Sequence, residues 1–222
     1  KFTFLSAISM IYLSYEYKER QNTIGFMLTQ PFFPVMITTD KYEKNEDLCK
    51  EVADYCVDTS KKRKKDIATG WISSSTFNTL DMLDILKEDK FKDLNKWVEK
   101  IVNAHGNLIG YSKLKAVSGW FNVYYKYDFQ EFHSHSMHHL SCIYFLKSNI
   151  EKDAKVFFAS PIYDVAKKPQ SNETNPITWD KVLFKPAQGT LIIFPSWLRH
   201  CVERQESDGP RISVAYNFDL CS

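Results

Sequence analysis

The hydrophobic period changes at Gly110, and that change limits what this chain can fold into. Before it, apolar residues recur at helical spacing; after it, they fall into short runs with strand alternation. The segments Ala116–Tyr125, Glu131–His135, Leu140–Leu146, Lys155–Ala159, Lys181–Lys185, Thr190–Phe194, His200–Arg204 and Arg211–Phe218 all read as strands. Polar or turn-forming stretches separate them, among them KSNIEKD, KKPQSNETNP, PAQG and QESDG. Eight strands after two or three helices predict a mainly β protein, a double-sheet jelly roll with the helices packed on one sheet. There is no glycine-rich phosphate loop and no βαβ alternation, so nucleotide-binding α/β folds are excluded.

The first half is read as the helical support. PFFPVMITT, Pro31 to Thr39, suits a first strand opened by proline. NEDLCKEVADYCVD follows as a helix, with Leu48, Val52 and Tyr55 on one face and an acidic first turn. A polar loop is expected from Thr59 to Asp66, and an exposed or partly irregular passage through ATGWISSSTFNTLDMLDILKED. In FKDLNKWVEKIVNAHG the residues Phe91, Leu94, Trp97, Val98, Ile101 and Val102 form one stripe, with Asp89 as N-cap and Gly106 or Gly110 as the stop. His105, beside that end, is expected to be structural or exposed. The 222 residues suffice for one full core. A single domain is expected over 29–222, with helical support at about 43–110 and the jelly-roll core at about 116–218. Residues 1–28 are an N-terminal extension without an assigned role. Its apolar run of about ten residues is too short to span a bilayer, and no small-residue cleavage site follows it.

Composition narrows the function classes. Sixteen Phe, twelve Tyr and five Trp against seven Gly describe a folded, aromatic-rich protein. A formal charge of +2 provides no global field toward nucleic acid or membrane. The run KKRKK, Lys61 to Lys65, lacks interleaved aromatics and reads as a solvated loop. The five cysteines show no CxxC and leave one odd, and Cys142 and Cys201 sit in strand patterns as reduced, buried thiols. A reducing compartment follows, the cytoplasm, or the host cytoplasm if the chain is viral. An oligomer is compatible with this composition.

Four of the six histidines, His133, His135, His138 and His139, crowd into QEFHSHSMHHLSCIYFL. Strand side chains alternate, so His133 and His135 can face the same side, and two imidazoles there could chelate one metal ion. His200 follows GTLIIF and the turn PSW and would enter its strand at a sheet mouth, as a third ligand. The plain alternative is three ordinary polar positions. His138 and His139 fall in the turn before LSCIYFL, where they could line the mouth or hold substrate. Arg211 and Ser213 share a face of RISVAYNF; a guanidinium grips a carboxylate bidentately, and a hydroxyl adds one bond. The alternative is an arginine satisfied by Asp219, Asp208 or Glu203.

These residues together resemble the 2-oxoglutarate and iron(II)-dependent oxygenases, and more closely a group common in marine bacteria and their phages. That group shows W-x-N, Q-x-x-H-x-H-P running into a strand of the type LSGVYYL, G-x-L-x-x-FPSWLxH and a closing RxSxxxN. The matches are Trp120 with Asn122, Gln130 to His135, Leu140 to Leu146, Gly189 to His200, and Arg211 with Ser213 and Asn217. The resemblance covers roughly Trp120 to Phe218, is fainter from PFFPV through the helices, and is absent over about the first 28 residues.

The resemblance implies a double-stranded β-helix of cupin type. It implies iron(II) on His133, His135 and His200, with Arg211 and Ser213 clamping the far carboxylate of 2-oxoglutarate. His135 stands where the wider superfamily has an acid; it either binds as a third imidazole or turns away and leaves an open position. Ser136 replaces the usual proline, and Cys142 a small glycine. Asn122 and Tyr124, two apart on the preceding strand, could bond the cofactor carboxylates or the substrate. Gln130 could position a ligand histidine or a water, and Trp197 could wall the site. The implied activity couples O2 and 2-oxoglutarate to oxidation of a peptide or small molecule, with release of succinate and CO2. The alternatives are a cupin-type metal dioxygenase that needs no 2-oxoglutarate and a non-catalytic jelly roll.

Overall fold

A computed structural model describes residues 34–63, 76–162 and 179–221. Ten strands occur among them: β1 Thr38–Lys41, β2 Phe77–Asn78, β3 Leu114–Tyr124, β4 Gln130–His133, β5 Leu140–Lys147, β6 Val156–Ala159, β7 Lys181–Phe184, β8 Thr190–Pro195, β9 His200–Val202 and β10 Arg211–Leu220. All pair antiparallel, in a six-stranded sheet ordered β1-β8-β5-β10-β3-β2 and a four-stranded sheet ordered β4-β9-β6-β7. Two facing antiparallel sheets with non-sequential neighbours are the expected jelly roll, and each of the eight expected segments contributes a strand.

Two helices, α1 Asn45–Arg63 and α2 Lys92–Leu108, cover one face of the larger sheet. Strand alternation divides the side chains between two cores. Phe121 and Val123 of β3, Tyr144 and Leu146 of β5, Leu191 and Ile193 of β8, and Ile212, Val214, Tyr216 and Phe218 of β10 pack with Val52, Cys56, Leu94, Val98 and Val102 of the helices. The residues between them, Tyr124, Ile143, Phe145, Ile192 and Phe194, pack with Val156, Phe158 and Val202 of the smaller sheet. Each fully buried Phe, Leu or Val here contributes about 1.5–3 kcal/mol. β10 is therefore buried on both faces, and its inward positions are Arg211, Ser213, Ala215 and Asn217.

The boundaries differ from expectation where local capping competes with the apolar pattern. α1 continues through Thr59 to Arg63, so Lys61, Lys62 and Arg63 form its last turn instead of opening a loop; their charges favour the negative helix end. Ser60 extends the buried face, its hydroxyl lying 2.7 Å from the Val57 carbonyl and from the Tyr125 hydroxyl. Lys64 and Lys65 lie outside the described residues, as do residues 1–28 and all of ATGWISSS. Asp89 does not cap α2: it opens a short 3-10 turn, Asp89–Phe91, and α2 starts at Lys92. The cap in this region is Asp84, whose carboxylate accepts from the Leu86 N–H at 3.0 Å. Gly110, at φ +92°, provides the left-handed residue that stops α2. His105 is buried, with its Nδ1 2.9 Å from the Thr38 hydroxyl, a structural role. Among the described residues the first strand begins at Thr38, and Pro31 lies outside them. β4 ends at His133, two residues short of His135.

All five cysteines are unpaired thiols; Cys142 is buried and Cys201 half-buried. Among the described residues no helix is long and apolar enough to cross a membrane.

Candidate functional site

Between the sheets lies a cavity of about 360 Å³, and into it face His133, His135 and His200 together with Arg211 and Ser213. His133 closes β4 and His200 opens β9, and the two are cross-strand partners. That pairing removes the 67-residue separation in sequence. A tight turn, with the Leu198 N–H donating to the Pro195 carbonyl at 2.9 Å, delivers His200 to its strand. His135 lies beyond β4, where its backbone N–H donates to the Ser196 carbonyl at 2.7 Å. One ring nitrogen of each histidine lies within 4.8 Å of the other two. This is a set that could hold a single metal ion. His138 and His139 do not join it: their Nδ1 atoms each lie 2.9 Å from a different oxygen of Asp219, which ties down the turn before β5.

The environment keeps these imidazoles in the form a metal requires. Burial, more than any neighbouring charge, lowers the pKa of His133 and His200, the latter well below the ordinary histidine value. His135 is lowered to about 4, by burial first and then by His133, with the Asn217 side chain opposing. All three are neutral at pH 7 and need lose no proton to bind a cation. The Nδ1 of His133 lies 2.8 Å from the Glu131 carbonyl and that of His200 lies 3.0 Å from the Leu198 carbonyl. A carbonyl only accepts, so both Nδ1 atoms carry the proton and the ring lone pair lies on Nε2. Trp120 stacks on His135 at 5.5 Å, and Phe194 and Phe158 flank His200 at 4.8 and 5.7 Å.

Arg211 is fully buried, and its Nε, Nη1 and Nη2 make no hydrogen bond among the described residues. The aromatic rings of Tyr124 and Phe145 lie 4.6 and 5.2 Å from its guanidinium carbon. None of the three carboxylates weighed from sequence satisfies it. Asp208 bonds Lys126 at 2.7 Å, Asp219 holds the histidine pair, and Glu203 lies 3.9 Å from Lys155. Burial pulls the guanidinium pKa down, opposed by Tyr124 and then Asp153, yet an arginine stays charged in protein. A buried charge without a partner costs several kcal/mol. Its orphaned donors therefore fit an anion in the cavity, and Ser213, buried on the same face of β10, adds a hydroxyl.

Asn122 and Tyr124 of β3 and Gln130 of β4 also line the cavity. The Asn122 Oδ1 is buried without a hydrogen bond among the described residues, while the Tyr124 hydroxyl donates to the Gln130 Oε1 at 3.1 Å. Gln130 thus holds a tyrosine of the cavity wall. Trp197 is half-exposed and does not line the cavity, because the turn that aims His200 inward turns Trp197 out. Sequence reasoning passed over Trp120 as a stacking face and assigned no role to Asn217, though Asn217 shares the inward parity of Arg211 and Ser213. Among the described residues no carboxylate lines the cavity.

A family model described as "Putative 2OG-Fe(II) oxygenase" matches residues 118–217, the span that supplies all five of these side chains. No curated protein matches the chain. Among solved structures it is similar to a Pseudomonas putida prolyl-4-hydroxylase, with TM-score 0.59 and 13% identity over 85% of this chain and 94% of that one. It is similar to the non-heme alpha ketoglutarate dependent carbocyclase SnoK from nogalamycin biosynthesis, with TM-score 0.58 and 12% identity over 84% and 80%. It is also similar to HygX from Streptomyces hygroscopicus, solved with nickel and 2-oxoglutarate, with TM-score 0.54 and 11% identity over 84% and 83%.

Proposed function

We propose that this chain, a member of the 2-oxoglutarate and iron(II)-dependent oxygenases, holds iron on His133, His135 and His200 and seats the far carboxylate of 2-oxoglutarate on Arg211 and Ser213. The unpaired, fully buried Arg211 in the same cavity as three convergent neutral imidazoles carries this reading. It also disfavours a dioxygenase that needs no 2-oxoglutarate, which would leave that charge unanswered, and a non-catalytic jelly roll.

Bound iron supplies the activation of O2, with 2-oxoglutarate consumed to succinate and CO2. The chain binds, orients and excludes water. Arg211, held against the rings of Tyr124 and Phe145, fixes the co-substrate together with Ser213. Trp120, Phe158 and Phe194 shield the histidines and hold their rings. Asn122, with its open acceptor, is placed to meet a donor on the ligand.

The second substrate is proposed to be a peptide side chain, hydroxylated at the mouth, where Leu80 and Met137 border the cavity and are exposed. The prolyl-4-hydroxylase named above supports a peptide, while SnoK keeps a small molecule in view. Residues 29–222 are proposed to act as one oxygenase domain.

Anaerobic loading with Fe(II) tests the reading directly. One metal per chain is expected, lost when His133 and His200 are both replaced by alanine, with O2-dependent succinate release that requires 2-oxoglutarate. Full metal content in that double variant would sink the ligand assignment.

A further inference from the structure

We propose that Asn217 is a positioning residue that sets which nitrogen of His135 faces the metal, through a neutral hydroxyl network rather than a carboxylate. The proposal rests on the reading of His133, His135 and His200 as the ligand set. Two of those histidines have their tautomer written by the backbone, because a carbonyl stands behind each Nδ1. Behind the Nδ1 of His135 stands a side chain instead, the Oδ1 of Asn217 at 2.8 Å.

An amide is ambivalent in that place. Its oxygen accepts, which keeps the proton on Nδ1 and leaves Nε2 bare; its NH2 would donate, which moves the proton to Nε2 and closes that nitrogen to a cation. The amide presents its oxygen to His135 and is held between two serines. The Ser141 hydroxyl donates to the same Oδ1 at 2.7 Å, and the Asn217 Nδ2 donates to the Ser118 Oγ at 3.1 Å. Ser141 meets the Ser196 hydroxyl at 2.8 Å, and the Ser196 carbonyl takes the His135 backbone N–H at 2.7 Å. Asn217 is thus gripped by β3 on one side and β5 on the other, and the residue it orients is tied to the same serine network. At 5% exposure it has little water to turn into.

A carboxylate would enforce the same tautomer more firmly and raise the basicity of the imidazole. It would also add a negative charge to a cavity whose lining, among the described residues, has none. The amide orients His135 and leaves the cation and Arg211 to be answered by the co-substrate alone.

Long-range 1H–15N correlation on the metal-free protein reads the tautomer, and competition with a chelator reads Co(II) affinity. In the native chain His135 is expected to carry its proton on Nδ1. Asn217→Ala should move it to Nε2 and weaken Co(II) about 10–100-fold. Asn217→Asp should keep the Nδ1 proton and bind Co(II) at least as tightly, which separates positioning from a failure to fold. In the His135→Ala background, Asn217→Ala should cost nothing further. An Nε2 proton in the native chain, or an equal loss in both backgrounds, would overturn the proposal. An unchanged Co(II) affinity in His135→Ala alone would overturn the ligand set, and the proposal with it.

Discussion

Replacing Arg211 by methionine should have two effects of opposite sign. Methionine has similar bulk and no charge, and the guanidinium it removes is fully buried with no hydrogen bond on Nε, Nη1 or Nη2 among the described residues. A bidentate grip on a carboxylate comprises two charge-assisted bonds of about 1.5–3 kcal/mol each. Losing both corresponds to about 3–6 kcal/mol, or roughly a 10²- to 10⁴-fold rise in the Kd for 2-oxoglutarate. Without co-substrate the variant should melt higher than the native protein. Exchanging a buried charge for a packed apolar side chain stabilises by about 1–4 kcal/mol. At roughly 3 °C per kcal/mol for a chain of this size, that is a rise of about 3–12 °C. Scanning calorimetry with and without 2-oxoglutarate separates the two effects: the co-substrate should raise Tm in the native protein and leave the variant unmoved. A variant that melts lower and binds 2-oxoglutarate normally would show a structural arginine, and the clamp would be wrong.

Three further outcomes follow from the same coordinates. The His135 pKa is about 4 in the folded protein, below its ordinary value, so between pH 6.5 and 4 the unfolded chain binds more protons. Stability of the metal-free protein should be full above pH 6.5 and fall on acidification toward pH 4, by up to about 3 kcal/mol from this residue, and His135→Asn should flatten the slope of Tm against pH. Gly119→Ala would place a Cβ 2.8 Å from Ile85 and 3.2 Å from Tyr216, so urea titration should show a loss of about 1–3 kcal/mol. Gln205 is fully buried, accepting from the Ala154 N–H at 2.7 Å and donating to Asp153 at 2.8 Å; Gln205→Leu should cost about 1–3 kcal/mol by the same titration.

Much of the architecture was legible because a strand buried on one or both faces writes its period into the sequence. The run RISVAYNF showed both the strand and the parity that sends Arg211 and Ser213 inward. Helix and strand ends were less legible, since they depend on caps and partners that the period does not encode. α1 runs on through Lys61–Arg63 because Ser60 finds Val57 and Tyr125, a partner 65 residues away. His135 was read as part of a strand that stops at His133; what places it is the Ser196 carbonyl, 61 residues further on. Trp197 and Asn217 show the same limit from opposite sides. An aromatic beside a histidine invites a role in the site, and an asparagine in a strand invites none, until the turn and the flanking serines are seen. The convergence of His133, His135 and His200 depended on a long-range pairing that spacing could suggest but not orient.

The two-faced burial of β10 has a consequence for anyone who would redesign this protein. Its even-numbered residues, Ile212 to Phe218, hold the helices to the sheet, and its odd-numbered ones line the chemistry. A one-residue insertion would exchange the two sets at once, driving Arg211 toward the helices and isoleucine into the cavity. New substrate preference is better sought in Leu80, Ser134, Ser136 and Met137, which border the same cavity without holding the helical core. Tolerance to change is therefore expected to run along the rim and to vanish along this strand, a contrast that a saturation library over both segments would display position by position.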